Sequence, residues 1–129
     1  MKIEPIVNYL EAMSLGVKGV SLFAYYMPTD VAAGILVIPG SSGTKVDPYI
    51  PKHRVAKFQV IVRANDYLEG SQLADSIANV LQLRRVTLSG VYFQLIRSTH
   101  EPIPFPPSDG NKIEFSLNFQ AVYVSNFDF

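Results

Sequence analysis

Residues 112–124, KIEFSLNFQAVYV, decide the fold class. Ile113, Phe115, Leu117, Phe119, Ala121 and Tyr123 alternate with Lys112, Glu114, Ser116, Asn118 and Gln120. Successive side chains of a strand point to opposite faces, so this pattern describes a long strand with one covered and one open face. Working backward, RVAKFQVIVRA (54–64) repeats the pattern, with Ala56, Phe58, Val60, Val62 and Ala64 turned inward and Lys57, Gln59 and Arg63 outward. Two such strands need an apolar layer over their covered face.

Two helical patterns supply it. Near the start, Ile3, Ile6, Val7, Leu10 and Met13 share one helical face, and Pro5 suits a first turn, where its missing N–H costs nothing. Gly16 and Gly19 are expected to end that helix. The second, within NDYLEGSQLADSIANVLQLRR (65–85), opens with Asp66 as N-cap and Glu69 three residues on. Its buried stripe is Leu73, Ala74, Ile77, Val80 and Leu81, and Arg84 and Arg85 are expected near the negative end of its dipole.

The remaining apolar runs read as strands. VSLFAYYMP (20–28) and ILVI (35–38), separated by TDVAAG, are expected to form an antiparallel pair; VYFQLIRS (91–98) is another strand before the Pro-rich turn EPIPFPPSDGN (101–111). The order α-β-β-β-α-β-β predicts an α+β fold: a mainly antiparallel sheet of four to five strands with two helices packed on one face. At 129 residues the chain is expected to form one domain, 1–129.

Composition narrows the function. Eleven basic and eleven acidic residues give zero formal net charge, unlike the basic excess of a dedicated nucleic-acid binder. With no cysteine, disulfides and thiolate metal sites are excluded. The start, MKIEPIVNYLEAMS, carries two acids and a proline and is not expected to be a secretory signal. No apolar run approaches the roughly 18 residues that span a bilayer, so no membrane association is expected.

The search for chemistry centres on ILVIPGSSGTKVDPYIPKH (35–53). A phosphate-binding loop needs G-x-x-x-x-G-K-[ST] leading into a helix. Here Thr44 separates Gly43 from Lys45, the spacing is short, and VDPYIP cannot continue as a helix. Gly40-Ser41-Ser42-Gly43 is likewise one residue short of a nucleophile elbow. His53 and His100 stand apart without paired acidic ligands, Asp66 and Glu69 are explained by capping, and Asp75 lies on a polar helix face. No enzyme activity, metal or cofactor is expected. From Lys45 to Arg63, five basic residues face a single acid, Asp47.

The segment FQVIVRANDYLEGSQLADSIANVL (58–81) resembles the core of the tail terminator family of long-tailed bacteriophages, also described as minor capsid proteins. The terminal strand after a proline-rich turn is similar too, as is the start: a helix, a run ending in Met27-Pro28, and a strand entering a Gly-rich loop. The resemblance implies a virion structural protein without cofactor or catalytic residue. Family members form a hexameric ring on the head-proximal end of the tail tube, stop its polymerisation and dock to the head connector or stopper. Expected partners are therefore further copies of this chain, the tail tube protein and the head connector; location would be the virion, and the host cytoplasm during assembly. Two other readings stay open, a neck or head-completion connector and a ligand-binding or enzyme domain with residues 39–53 as a lid.

Residues 39–53 are the expected interface. With few apolar anchors, the loop is expected to be mobile alone, since ordering each residue costs about 1–2 kcal/mol of backbone entropy. Contact with a partner would supply the missing burial, with Tyr49 and Ile50 as anchors and Lys45, Lys52 and Arg54 as the charged rim.

Overall fold

The computed structural model describes residues 1–106 and 112–125. The two alternating segments are strands, as expected, and they pair with each other at the centre of the sheet. Strand β4 (His53–Ala64) lies antiparallel to β8 (Ile113–Val124) along the whole length of both, from His53 opposite Val124 to Ala64 opposite Ile113. Every inward residue named on β4 is buried, as are Phe115, Leu117, Phe119 and Ala121 on β8.

Around this pair stand β1 (Leu22–Ala24), β2 (Gly34–Pro39), β3 (Lys45–Val46), β5 (Leu83–Leu88), β6 (Val91–Ser98) and β7 (Ile103–Pro104). The spatial order is β1-β2-β4-β8-β6-β5, with β3 added to β4 and β7 to β8. The α+β class holds, but the sheet has eight strands among the described residues and is mixed, larger than the four to five expected. Helices α1 (Glu4–Ala12) and α2 (Tyr67–Val80) contribute Ile6, Val7, Leu10, Ala74 and Ile77 to the same buried cluster as the inward side of β4 and β8.

Four local expectations are corrected. First, β1 and β2 run parallel, Leu22 opposite Ile35. Tyr25 takes a left-handed φ of 68° and ends β1. The Arg63 guanidinium then donates to the carbonyls of Pro28 and Val31, each at 3.0 Å, tying the connecting loop beside the Gly34 end of β2. The chain thus re-enters in its original direction.

Second, α1 stops at Ala12, before Gly16. Ser14 occupies the left-handed position (φ 62°), Ser14 N–H donates to Glu11 and Leu15 N–H to Leu10. This is a Schellman ending with serine in the position glycine usually takes. Met13, expected on the buried face, is the C-cap residue and 45% exposed.

Third, Arg84 and Arg85 lie on β5, away from the dipole of α2. The helix ends at Val80 because Leu81 is fully buried and Gln82 turns the chain, its Nε2 donating to Ala78 O and to Ser98 Oγ. Strand β5 then pairs with β6 through a two-residue turn, Ser89 and Gly90, both with positive φ. That is the geometry matched to the right-handed twist of a hairpin.

Fourth, residues 39–53 are not wholly irregular, for β3 pairs with β4, Lys45 opposite Val55 and Val46 opposite Arg54. Part of the Pro-rich turn, residues 107–111, lies outside the described residues.

Helix α2 sits unusually close to the sheet. A Cβ on Gly70 would stand 2.6 Å from Cε2 of Phe115 and 3.0 Å from the Ala64 Cβ. One turn earlier Tyr67 covers the same ring, centroids 5.2 Å apart.

Candidate assembly surface

The arm of residues 39–53 leaves the sheet at a tight crossing. Gly40 N–H donates to Lys57 O at 2.8 Å, and a Cβ at Gly40 would stand 2.7 Å from that same oxygen. After β3, the Asp47 carboxylate accepts from Tyr49 N–H at 2.8 Å, a side-chain-closed turn that an aspartate before proline favours. The turn carries Tyr49 and Ile50 outward, 92% and 54% exposed. Returning, His53 N–H donates to Ile50 O, and Ser125 N–H donates to Lys52 O at 2.7 Å, joining the arm to the end of β8.

The five residues expected at an interface therefore separate into two groups. Lys45, Tyr49, Ile50 and Lys52 are exposed on the arm. Arg54, expected on the exposed rim with the lysines, is only 4% exposed. It has the same parity along β4 as Ala56 and Phe58, so its side chain starts on the covered face. There Nη1 donates to Pro51 O at 2.7 Å and to His53 O at 3.0 Å, holding the arm's return from within. The signal was available in the alternation: Arg54 extends the inward series by one step.

Beneath the arm lies a cavity of about 530 Å³, walled by Thr44, Val46, Val91, Phe93 and Tyr123 with Lys2 and Arg54 at its polar side. The Met1 amino group donates to Thr44 Oγ1 at 3.0 Å. Burial pushes the Tyr123 phenol up, opposed by its hydrogen bond with Thr44 and by the Arg54 charge. Sequence reading missed this cavity because its walls come from segments far apart in the chain.

Two of the residues screened for chemistry, His100 and Asp66, have their side chains engaged in the fold. Asn118 Nδ2 donates to His100 Nε2 at 2.9 Å, leaving Nδ1 to donate to Glu101 O at 2.6 Å. Asp66 caps α2, accepting from Glu69 N–H at 2.8 Å. Among the described residues, no group of three or more His, Asp or Glu side chains is placed to hold a metal ion, and no helix is long and apolar enough to cross a membrane.

Comparison with known proteins places the chain in a family. The family model for bacteriophage tail terminator protein matches residues 9–125. The chain belongs to the bacteriophage tail terminator family. It is thus a phage structural tail protein and a virion component. No match is found among curated proteins. Among solved structures, a chain from the virion of a native gene transfer agent particle is similar, with a TM-score of 0.60 and 15% identity over 79% of this chain and 78% of that one. At that identity the likeness is one of fold. The match to the tail terminator family spans α2, the whole central strand pair and the arm.

Proposed function

We propose that residues 1–129 act as a single tail terminator domain that assembles as a hexameric ring on the head-proximal end of the tail tube. The ring ends tube polymerisation and presents the surface that joins the head connector or stopper. The family match over residues 9–125 carries this reading. The role is structural and non-enzymatic, exercised in the virion after assembly in the host cytoplasm.

The geometry supplies the parts such a subunit needs. A closed ring requires a heterologous contact, one patch meeting a different patch on the next copy. The arm provides a projecting patch with Tyr49 and Ile50 at its tip and Lys45 and Lys52 beside them, while Arg54 sets its shape from inside. An aromatic and an aliphatic anchor within a charged rim is the composition of a docking contact. Zero net charge suits a ring around a DNA passage, where many phosphate contacts would retain the DNA instead of letting it slide.

Negative-stain microscopy of the purified chain tests the ring directly. Six-fold rings are the expected particles. Particles that remain single subunits at every concentration would remove the ring from this reading.

A further inference from the structure

The charges of this chain sum to zero, but they are sorted between its two layers. Strands β4, β5, β6 and β8 hold a single acid, Glu114, which Arg63 engages at 3.0 Å. Lys57, Arg84, Arg85 and Arg97 are exposed on these strands, with no acid in ion-pair reach among the described residues. On the open face, Lys57 and Arg97 flank Gln120 in one row across β4, β8 and β6. The adjacent row, Val55, Val122 and Leu95, is apolar and half-buried, and it runs on to Arg84. Helix α2 carries the opposite charge. Between Tyr67 and Val80 its charged residues are Glu69 and Asp75, both exposed, with no base. Leu68 stands beside them, 66% exposed. Because α2 packs on the covered side of the sheet, the two surfaces look in opposite directions and cannot meet within one copy.

We propose that the open face of the sheet receives the outer face of α2 from the next copy. Leu68 settles on the Val55–Val122–Leu95 row, and Glu69 and Asp75 meet Arg97 and Lys57. The spacings agree. Lys57 and Arg97 lie two strand separations apart, about 9–10 Å. Glu69 and Asp75 are six residues apart on a helix, a rise of about 9 Å. Each copy then offers its sheet to one neighbour and its helix to the other, which is the heterologous contact that a closed ring requires. Duplex DNA could meet the cations alone, whereas the half-buried apolar row calls for an apolar partner such as Leu68. The inference rests on the ring reading and adds to it which surfaces of successive subunits meet.

Charge reversal on each surface tests the pairing. One variant carries Lys57→Glu with Arg97→Glu, the other Glu69→Lys with Asp75→Lys; all four residues are exposed, and thermal melting verifies that each variant folds. Alone, each variant sets like charges across the contact and should assemble several-fold less than the parent by light scattering. An equimolar mixture should recover six-fold rings, because alternating copies restore opposite charges at every contact. Assembly of either variant alone at the parent's concentration overturns the inference and leaves the ring intact. A mixture that fails to assemble where the parent does has the same consequence. So does a Lys57→Glu, Arg97→Glu variant that still forms rings but no longer retains duplex DNA as the parent does, which assigns the face to nucleic acid. Should a reversal unfold its chain, Lys57→Gln with Arg97→Gln, or Glu69→Gln with Asp75→Asn, takes its place, and unweakened assembly of that variant overturns the inference. A parent that stays a single subunit removes the ring reading and this contact together.

Discussion

Phe58 and Phe119 stand directly opposite each other on β4 and β8, their rings stacked with centroids 5.0 Å apart and planes 12° from parallel. Both are essentially inaccessible to water, and they sit midway along the longest strand pair, where the sheet meets the layer of helices. Phe119→Ala is expected to destabilise the fold by about 3–5 kcal/mol, combining lost burial with the cavity left behind. On the open face, Asn118→Ala loses its bond to His100 and should cost about 1 kcal/mol. Urea unfolding of both variants checks the contrast; equal losses would contradict a sheet covered on one side.

Gly70→Ala tests how closely α2 approaches the sheet. Exposed helical glycines usually gain stability on this change, through the lower entropy cost of alanine. Here the new methyl would meet the edge of Phe115, a ring already held by Tyr67. The expected result is a loss of about 1–3 kcal/mol, the usual cost of overpacking. A gain in thermal stability would show that α2 can move away from β8 freely.

A pH effect follows from Glu4. Its carboxyl is held below the ordinary value of 4.5, first by a hydrogen bond from its own backbone N–H and then by the Tyr25 hydroxyl, which donates to Oε1 at 2.9 Å. A depressed folded-state value contributes stability above the ordinary carboxylate range, lost as pH falls through the folded value. Tyr25→Phe should raise the Glu4 midpoint partway toward 4.5, because the backbone contribution remains. An NMR titration following Glu4 reads this, and an unchanged midpoint would show that the Tyr25 contact does not persist in solution.

Much of this architecture was legible in the chain because it is local. Period-two alternation located β4 and β8, and Asp66 with Glu69 marked the start of α2. The corrected elements lie where non-local geometry overrides local pattern. Nothing near Leu22 announces a parallel neighbour, since the loop's return depends on Arg63, about forty residues away along the chain. The β5–β6 hairpin was readable from Ser89-Gly90 between two apolar-rich runs, but the strand's first residues also continue the helical pattern of α2. At the candidate site, the exposed arm could be inferred from its prolines and glycines. The cavity beneath it could not, because Lys2, Thr44, Val91 and Tyr123 meet only after folding.

The arm is expected to matter for assembly more than for stability. Tyr49 and Ile50 are exposed at its tip, so replacing both with serine removes little burial within the subunit. The double variant should melt within about 2 °C of the parent, as surface changes of roughly 0.5 kcal/mol do. Its rings should be fewer or absent at concentrations where the parent assembles. A large drop in melting temperature would instead make the arm part of the subunit's own fold.

Growth of tail tubes in the presence of this chain tests the central claim most directly. Tube protein polymerising in vitro is imaged by electron microscopy with and without the purified subunit, and tube length and end structure are measured. The account predicts short tubes with a six-fold ring on one end and no further elongation from that end. Tubes of unchanged length with bare ends, at subunit concentrations that produce rings, would contradict it.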